Sequence, residues 1–142
     1  AGYGFICTFA DLHSRTKSGK ALLTLPDQAK VMAPQVIDDS KDQLLAITEA
    51  GRMLMFSVAD LPQLSKGKGN KIISIPGADF VSGKDKLLWL LLINNQSTVT
   101  LYVGKRKLKL RSEELQKFKA ERGRKGTLLP RGLQRIDRVD IE

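Results

Sequence analysis

An internal repeat constrains this chain more than any other feature. AGYGFICTFADL (1–12) lies without a gap on AGRMLMFSVADL (50–61). VGKRKLKLRSEEL (103–115) follows the same order with one extra residue: glycine, apolar stretch, acid, leucine. Each copy then runs through a polar loop into a second apolar stretch that stops at a proline, SGKALLTLP to Pro26, KGNKIISIP to Pro76 and RGRKGTLLP to Pro130. A glycine stands seven residues before each proline, at Gly19, Gly69 and Gly123. The leading glycines Gly2, Gly51 and Gly104 are 49 and 53 residues apart, a period typical of a blade that buries its faces on its neighbours.

The units read as strand. Leu108 and Leu110 alternate with Lys107, Lys109 and Arg111, the period-two pattern of a half-buried strand with a basic face in water. QLLAIT (43–48), LLWLLLI (87–93) and STVTLYV (97–103) supply further strands, and the terminal prolines suit strand ends because proline donates nothing to a ladder. The one helix expected is 112–120, with Ser112 as its cap and Glu113 and Glu114 in its first turn. Four-stranded units of this length are expected to stack around an axis, so the predicted fold is all-β and propeller-like, with about three blades over approximately 1–49, 50–102 and 103–142. At 142 residues one domain suffices, since a chain of this size buries about 68% of its unfolded surface.

The net charge of +9 points to a polyanionic partner, nucleic acid before an anionic membrane surface. The charge is uneven: residues 1–48 are neutral, whereas residues 102–142 hold thirteen Lys and Arg against six Asp and Glu. The longest apolar run, LLWLLLI, is seven residues, far below the roughly 20 needed to span a bilayer, and no amphipathic helix is visible. With no basic n-region or cleavage signal the chain is not expected to be a secretory precursor, and its single cysteine, Cys7, is compatible with a reducing cytoplasm.

The loops SRTKSGK, SKGKGNK and ERGRKGT fall at the same point of each unit, which would bring them to one edge of an array. Glycine lets the backbone approach an anion closely, successive N–H groups form an anion-binding nest, and Lys and Arg supply charge. Contacts of this kind grip phosphates and read no base sequence. Other chemistry is poorly supported. GKGNK lacks the Walker spacing. His13 and Cys7 cannot assemble a zinc site alone. Asp38 and Asp39 sit in a polar connection; Tyr3 and Tyr102 lie in strands with no base grouped beside them; Trp89 belongs to the core. No cofactor or metal is expected in this chain. A propeller that docks an acidic protein is the alternative, but the aromatic anchors of such an interface are scarce at 6% of residues.

The runs AGRMLMFSVADLPQLSKGKGNKIISIP and VGKRKLKLRSEELQKFKAERGRKGTLLPRGLQRIDRVDIE, with the opening AGYGFICTFADL, resemble the C-terminal domain of the A subunit of bacterial DNA topoisomerase IV over essentially the whole chain. The resemblance implies a β-pinwheel of gyrase A-type blades that binds duplex DNA on a basic rim and guides which DNA crossings are acted on in decatenation and supercoil relaxation. It implies a non-catalytic piece of an isomerase whose ATP and Mg are bound elsewhere. The implied partners are the B subunit of a heterotetramer together with the rest of the A subunit, in the bacterial cytoplasm at the nucleoid. About five blades are usual in the family, so three imply part of a longer chain. The glycine-rich box of the related gyrase subunit is degenerate in all three loops, which implies bending rather than full wrapping. Carried over residue by residue, the implied DNA contacts are Arg15, Lys17 and Lys20; Lys66, Lys68 and Lys71; and Arg122, Arg124 and Lys125, extended by Lys105, Arg106 and Lys107.

Overall fold

The computed structural model describes residues 1–38 and 42–142. Its strands form three sheets. β1 (Tyr3–Gly4) pairs with β4 (Asn70–Lys71). The central sheet has the order β5 (Leu87–Ile93), β2 (Gln43–Thr48), β3 (Arg52–Ser57), β8 (Thr127–Leu128). The third has the order β7 (Arg106–Leu110), β6 (Val99–Val103), β9 (Arg138–Ile141), and all strand pairs are antiparallel.

The central sheet is apolar on both faces because each face meets a core. Leu45, Ile47, Met53 and Met55 point into a cluster shared with Val99, Leu101 and Leu110 of the third sheet. Leu44, Ala46, Leu54 and Phe56 point into a second cluster with Ile72 and Ile73. This explains LLWLLLI: Trp89 and Leu91 pack against the first cluster, Leu90 and Leu92 against the second. The run is nevertheless half-buried over most of its length, because β5 is the sheet's edge. The side-chain amide of Gln35 partly covers that edge, donating to the Leu90 carbonyl and accepting from the Leu92 N–H.

The stretches before the prolines are mostly not strand. They shorten to two residues in β4 and β8, and in the first unit to an isolated bridge between Leu23 and Gly67. Both β4 and β8 pair with the leading strand of the unit before their own: β4 with β1, β8 with β3 (Arg52 opposite Leu128, Met53 opposite Thr127). The same units also touch those leading strands further along, through parallel bridges from Gln63 to Ile6 and from Lys119 to Met55. The first and second units are thereby each clasped by the next at two points along the leading stretch.

Helical structure departs from expectation in three ways. The helix at 112–120 is one turn, α2 (Ser112–Leu115), continued by a 3-10 turn at Gln116–Phe118. It stops because Lys119 and Ala120 are taken by Met55: the Ala120 N–H donates to the Met55 carbonyl at 3.0 Å. Ser112 is its first residue rather than its cap; Glu114 reaches back to accept from the Arg111 N–H at 2.8 Å. A second helix, α1 (Gly77–Ser82), has no counterpart in the sequence pattern; it has no side-chain cap and ends on Gly83 at φ 79°. The repeated Ala-Asp-Leu is likewise a helical turn, not the end of a strand. Phe9–Leu12 is capped by Thr8, and Val58–Asp60 by Ser57, whose hydroxyl accepts from the Ala59 N–H at 3.3 Å.

Candidate nucleic-acid interface

The second and third basic loops lie between the two clasp points just described. The chain leaves Ile6 after Leu64, whose N–H donates to the Ile6 carbonyl at 2.7 Å, runs through Lys66 and Lys68, and returns as β4. The third leaves Met55 at Ala120, runs through Arg122, Arg124 and Lys125, and returns as β8. Both loops are short excursions from a neighbour's strand, so their bases are set by the unit before them. The glycines shape them: Gly19, Gly69 and Gly123 share φ of 83°, 82° and 84°. At Gly69 the Gly4 backbone stands where a Cβ would go, so only glycine fits.

Backbone hydrogen bonds tie the second and third loops to the units before them. Gly67 of the second loop donates to the Leu22 carbonyl at 2.9 Å and accepts from the Thr24 N–H at 2.9 Å, both in the first unit's pre-proline stretch. In the third loop, Gly123 donates to the Ile72 carbonyl at 2.9 Å and Arg124 accepts from the Ser74 N–H at 2.9 Å, in the second unit's stretch. The second and third loops are thereby each fixed against the pre-proline stretch of the unit before them.

The candidate side chains divide by what already holds them. Arg15, Lys17, Lys66, Lys71 and Lys125 are exposed, with no ion pair or side-chain hydrogen bond among the described residues. Lys20 donates to the Asp11 carbonyl at 2.9 Å. Lys68 sits 3.9 Å from the centroid of the Tyr3 ring, which ties the second loop to β1. Arg124 pairs with Glu121 at 3.0 Å, both exposed. Arg122 is half-buried, and its guanidinium donates to the carbonyls of Asp60 at 2.8 Å and Lys71 at 2.7 Å. It staples the third loop to the second unit. Lys105, Arg106 and Lys107 stand apart on the β6–β7 hairpin: no pairing among the described residues joins them to the loops.

Little in the site competes with this charge beyond Glu121, the partner of Arg124. Two ion pairs occur among the described residues against 24 Lys and Arg in the chain. No group of three His, Cys, Asp or Glu that could hold a metal occurs among them. His13 is exposed, Cys7 is a free, half-buried thiol, and Asp38 is exposed, while Asp39 lies outside the described residues. No helix among the described residues is long and apolar enough to cross a membrane.

The loops and sheets have known counterparts. Residues 42–94, from one residue before β2 to one after β5, match the family described as DNA gyrase C-terminal domain, beta-propeller. The solved E. coli ParC C-terminal domain superposes with a TM-score of 0.95 at 66% identity, covering 100% of this chain and 57% of that one. The chain belongs to the gyrase A C-terminal domain family. Within that family it is similar to the A subunit of DNA topoisomerase 4 from E. coli K12, 66% identical over all 142 residues and 19% of the relative. The Haemophilus influenzae counterpart is 57% identical over 94% of this chain and 18% of the relative. A second solved domain, the C-terminal domain of DNA topoisomerase IV, shares the fold at a TM-score of 0.78 and 17% identity. The chain spans about a fifth of the curated relatives it matches. The all-β, propeller-like expectation therefore holds for this gyrase-type domain.

Sequence reasoning missed Tyr3's part in the site and a like pairing at Tyr102. Tyr3 and Tyr102 do lie in strands, and each carries a cation over its ring, Arg138 standing 4.1 Å from the Tyr102 centroid. Neither pair is close in sequence, so only the fold could reveal them.

Proposed function

We propose that this chain is a duplex-DNA-binding and DNA-bending domain of a type IIA topoisomerase, gripping phosphates without reading base sequence. The observation that carries the reading is the set of basic loops bearing bare cations, the second and third of them fixed by backbone hydrogen bonds to the units before them. Rigid loop bases support regularly spaced phosphate contacts, and the scarcity of acids along the loops supports retention of a polyanion. Arg15, Lys17, Lys66, Lys71 and Lys125 are the direct contacts, with Lys20, Lys68 and Arg124 reaching a phosphate by exchanging a weak internal partner. In the longer protein the domain selects DNA crossings for decatenation and relaxation, working with the B subunit together with the rest of the A subunit in the bacterial cytoplasm. Strand cleavage and the ATP and Mg chemistry are assigned to those other parts.

The test is fluorescence anisotropy with two unrelated duplexes of equal length over a salt series. Six to ten neutralised phosphates predict a fall of about 10³–10⁵-fold in affinity between roughly 50 and 200 mM salt, equal for both sequences. Lys66, Lys68 and Lys71 changed together to Ala are expected to lower the salt slope by about one per lost contact. Unchanged affinity and slope in that variant, or preferential capture of an acidic protein competitor, would overturn the reading.

A further inference from the structure

The two faces of the third sheet are unlike. Val99, Leu101, Leu108 and Leu110 turn into the core. The opposite face is set by register: Lys107 is opposite Tyr102 and Tyr102 opposite Arg138 in one row, Lys109 opposite Thr100 and Thr100 opposite Asp140 in the next. Arg111 continues the β7 side in an extended conformation, exposed like Lys107 and Lys109. Antiparallel strands advance about 3.4 Å per residue, so Lys107, Lys109 and Arg111 form a row about 14 Å long. Each strand of B-DNA presents about four phosphates over that length.

The acids on this face lie on its other border. Asp140 is engaged by Arg138 at 3.5 Å, and Glu142 is paired through its backbone with Thr98. Arg138 lies over Tyr102, 4.1 Å from the ring centroid, which holds its guanidinium on this face. Glu114 accepts from the Arg111 N–H, but Lys107 and Lys109 have no acidic partner among the described residues. The third loop is elsewhere: the cluster that takes in Leu108 and Leu110 also contains Met53, Met55 and Leu129, the residues beside that loop's clasp points. Hydrophobic core therefore stands between the β7 row and that loop.

We propose that the outer face of the third sheet is a second phosphate-binding surface for duplex DNA, so that one chain holds two DNA segments at once. The proposal rests on the basic loops holding the first duplex. A flat cationic row beside a guanidinium on an aromatic ring suits a rigid polyanionic rod better than a folded acidic protein, whose charges are not evenly spaced.

Sedimentation of the full chain with labelled short duplexes at low salt tests it, comparing Lys107, Lys109 and Arg111 changed together to Gln with the same change at Lys66, Lys68 and Lys71. All six are exposed, and retained circular dichroism checks the fold. The expected result is two duplexes per wild-type chain and one for each variant. A wild-type chain that saturates at one duplex overturns the proposal. So does a loop variant that binds none, which leaves the loop reading intact. A β7 variant that binds none while the loop variant still binds one keeps the β7 surface as a DNA site and overturns the loop reading. A β7 variant that self-associates with unchanged duplex stoichiometry shows that the lysines only guard an open sheet edge, and also overturns the proposal.

Discussion

Arg122 and Lys66 are both basic loop residues, yet one is occupied and the other bare. Two carbonyls from separate segments converge on Arg122, and hydrogen bonds from a charged donor contribute about 1.5–3 kcal/mol each before allowance for partial exposure. Arg122→Ala is expected to lower unfolding free energy by about 1–3 kcal/mol, read as a shift in urea midpoint at unchanged slope. Lys66→Ala is expected to leave the midpoint within about 0.5 kcal/mol while weakening duplex binding. Gly69→Ala is expected to cost more than Lys66→Ala, because a left-handed backbone there costs about 1–3 kcal/mol for other residues and the Gly4 backbone blocks the side chain. Asp11 adds a pH dependence. The Thr8 N–H and hydroxyl donate to its carboxylate and hold its pKa below the usual carboxylate range. A depressed folded pKa contributes stability at neutral pH that is lost as pH falls through it, so Asp11→Asn is expected to flatten the acid limb of the Thr8 amide's exchange protection. None of these distinctions was legible in the sequence, where a stapling arginine and a bare lysine sit in the same kind of glycine-rich loop.

Among the elements, legibility depended on where each strand's partner came from. β2, β3, β6 and β7 pair with near neighbours in sequence, and their apolar patterns predicted them. The second and third pre-proline stretches carried the same pattern but failed as long strands, because their partners lie in the preceding unit and engage only two residues. The end of α2 was illegible for a related reason: nothing local in QKFKAE announces that Met55 will claim Lys119 and Ala120. Turns held by side chains were also hidden. Asp85 is buried, and its Oδ1 accepts from the N–H groups of Ala50 at 3.0 Å and Lys86 at 2.9 Å, which pins the β2–β3 turn. Asp85→Ala leaves the Ala50 N–H without this partner and is expected to cost about 1–3 kcal/mol, measured by chemical denaturation.

Across the whole molecule, alternate residues of the central sheet belong to different cores, so neither core can melt without exposing that sheet. Leu54→Ala in one cluster and Leu101→Ala in the other are each expected to cost about 2–5 kcal/mol. Trp89 packs on the cluster containing Leu101. Its fluorescence should nevertheless report the Leu54→Ala transition at the same midpoint as circular dichroism, and separated midpoints would show that the cores unfold independently. The surface is equally lopsided. The third sheet turns a polar, basic face outward, whereas the first unit exposes Phe9 at 75%, Leu12, Leu25 and Val36.

The clasp also bears on how such chains change length over evolution. The strand that completes the pairing of the first two leading strands is encoded one repeat downstream, so duplicating a whole repeat adds one acceptor edge together with one donor strand. Every older junction stays served, and deletion of a whole repeat works the same way in reverse. Breakpoints placed at sheet boundaries would instead strand an acceptor without its donor. A gene built on this plan can therefore gain or lose repeats in a single recombination event without any junction having to be reinvented.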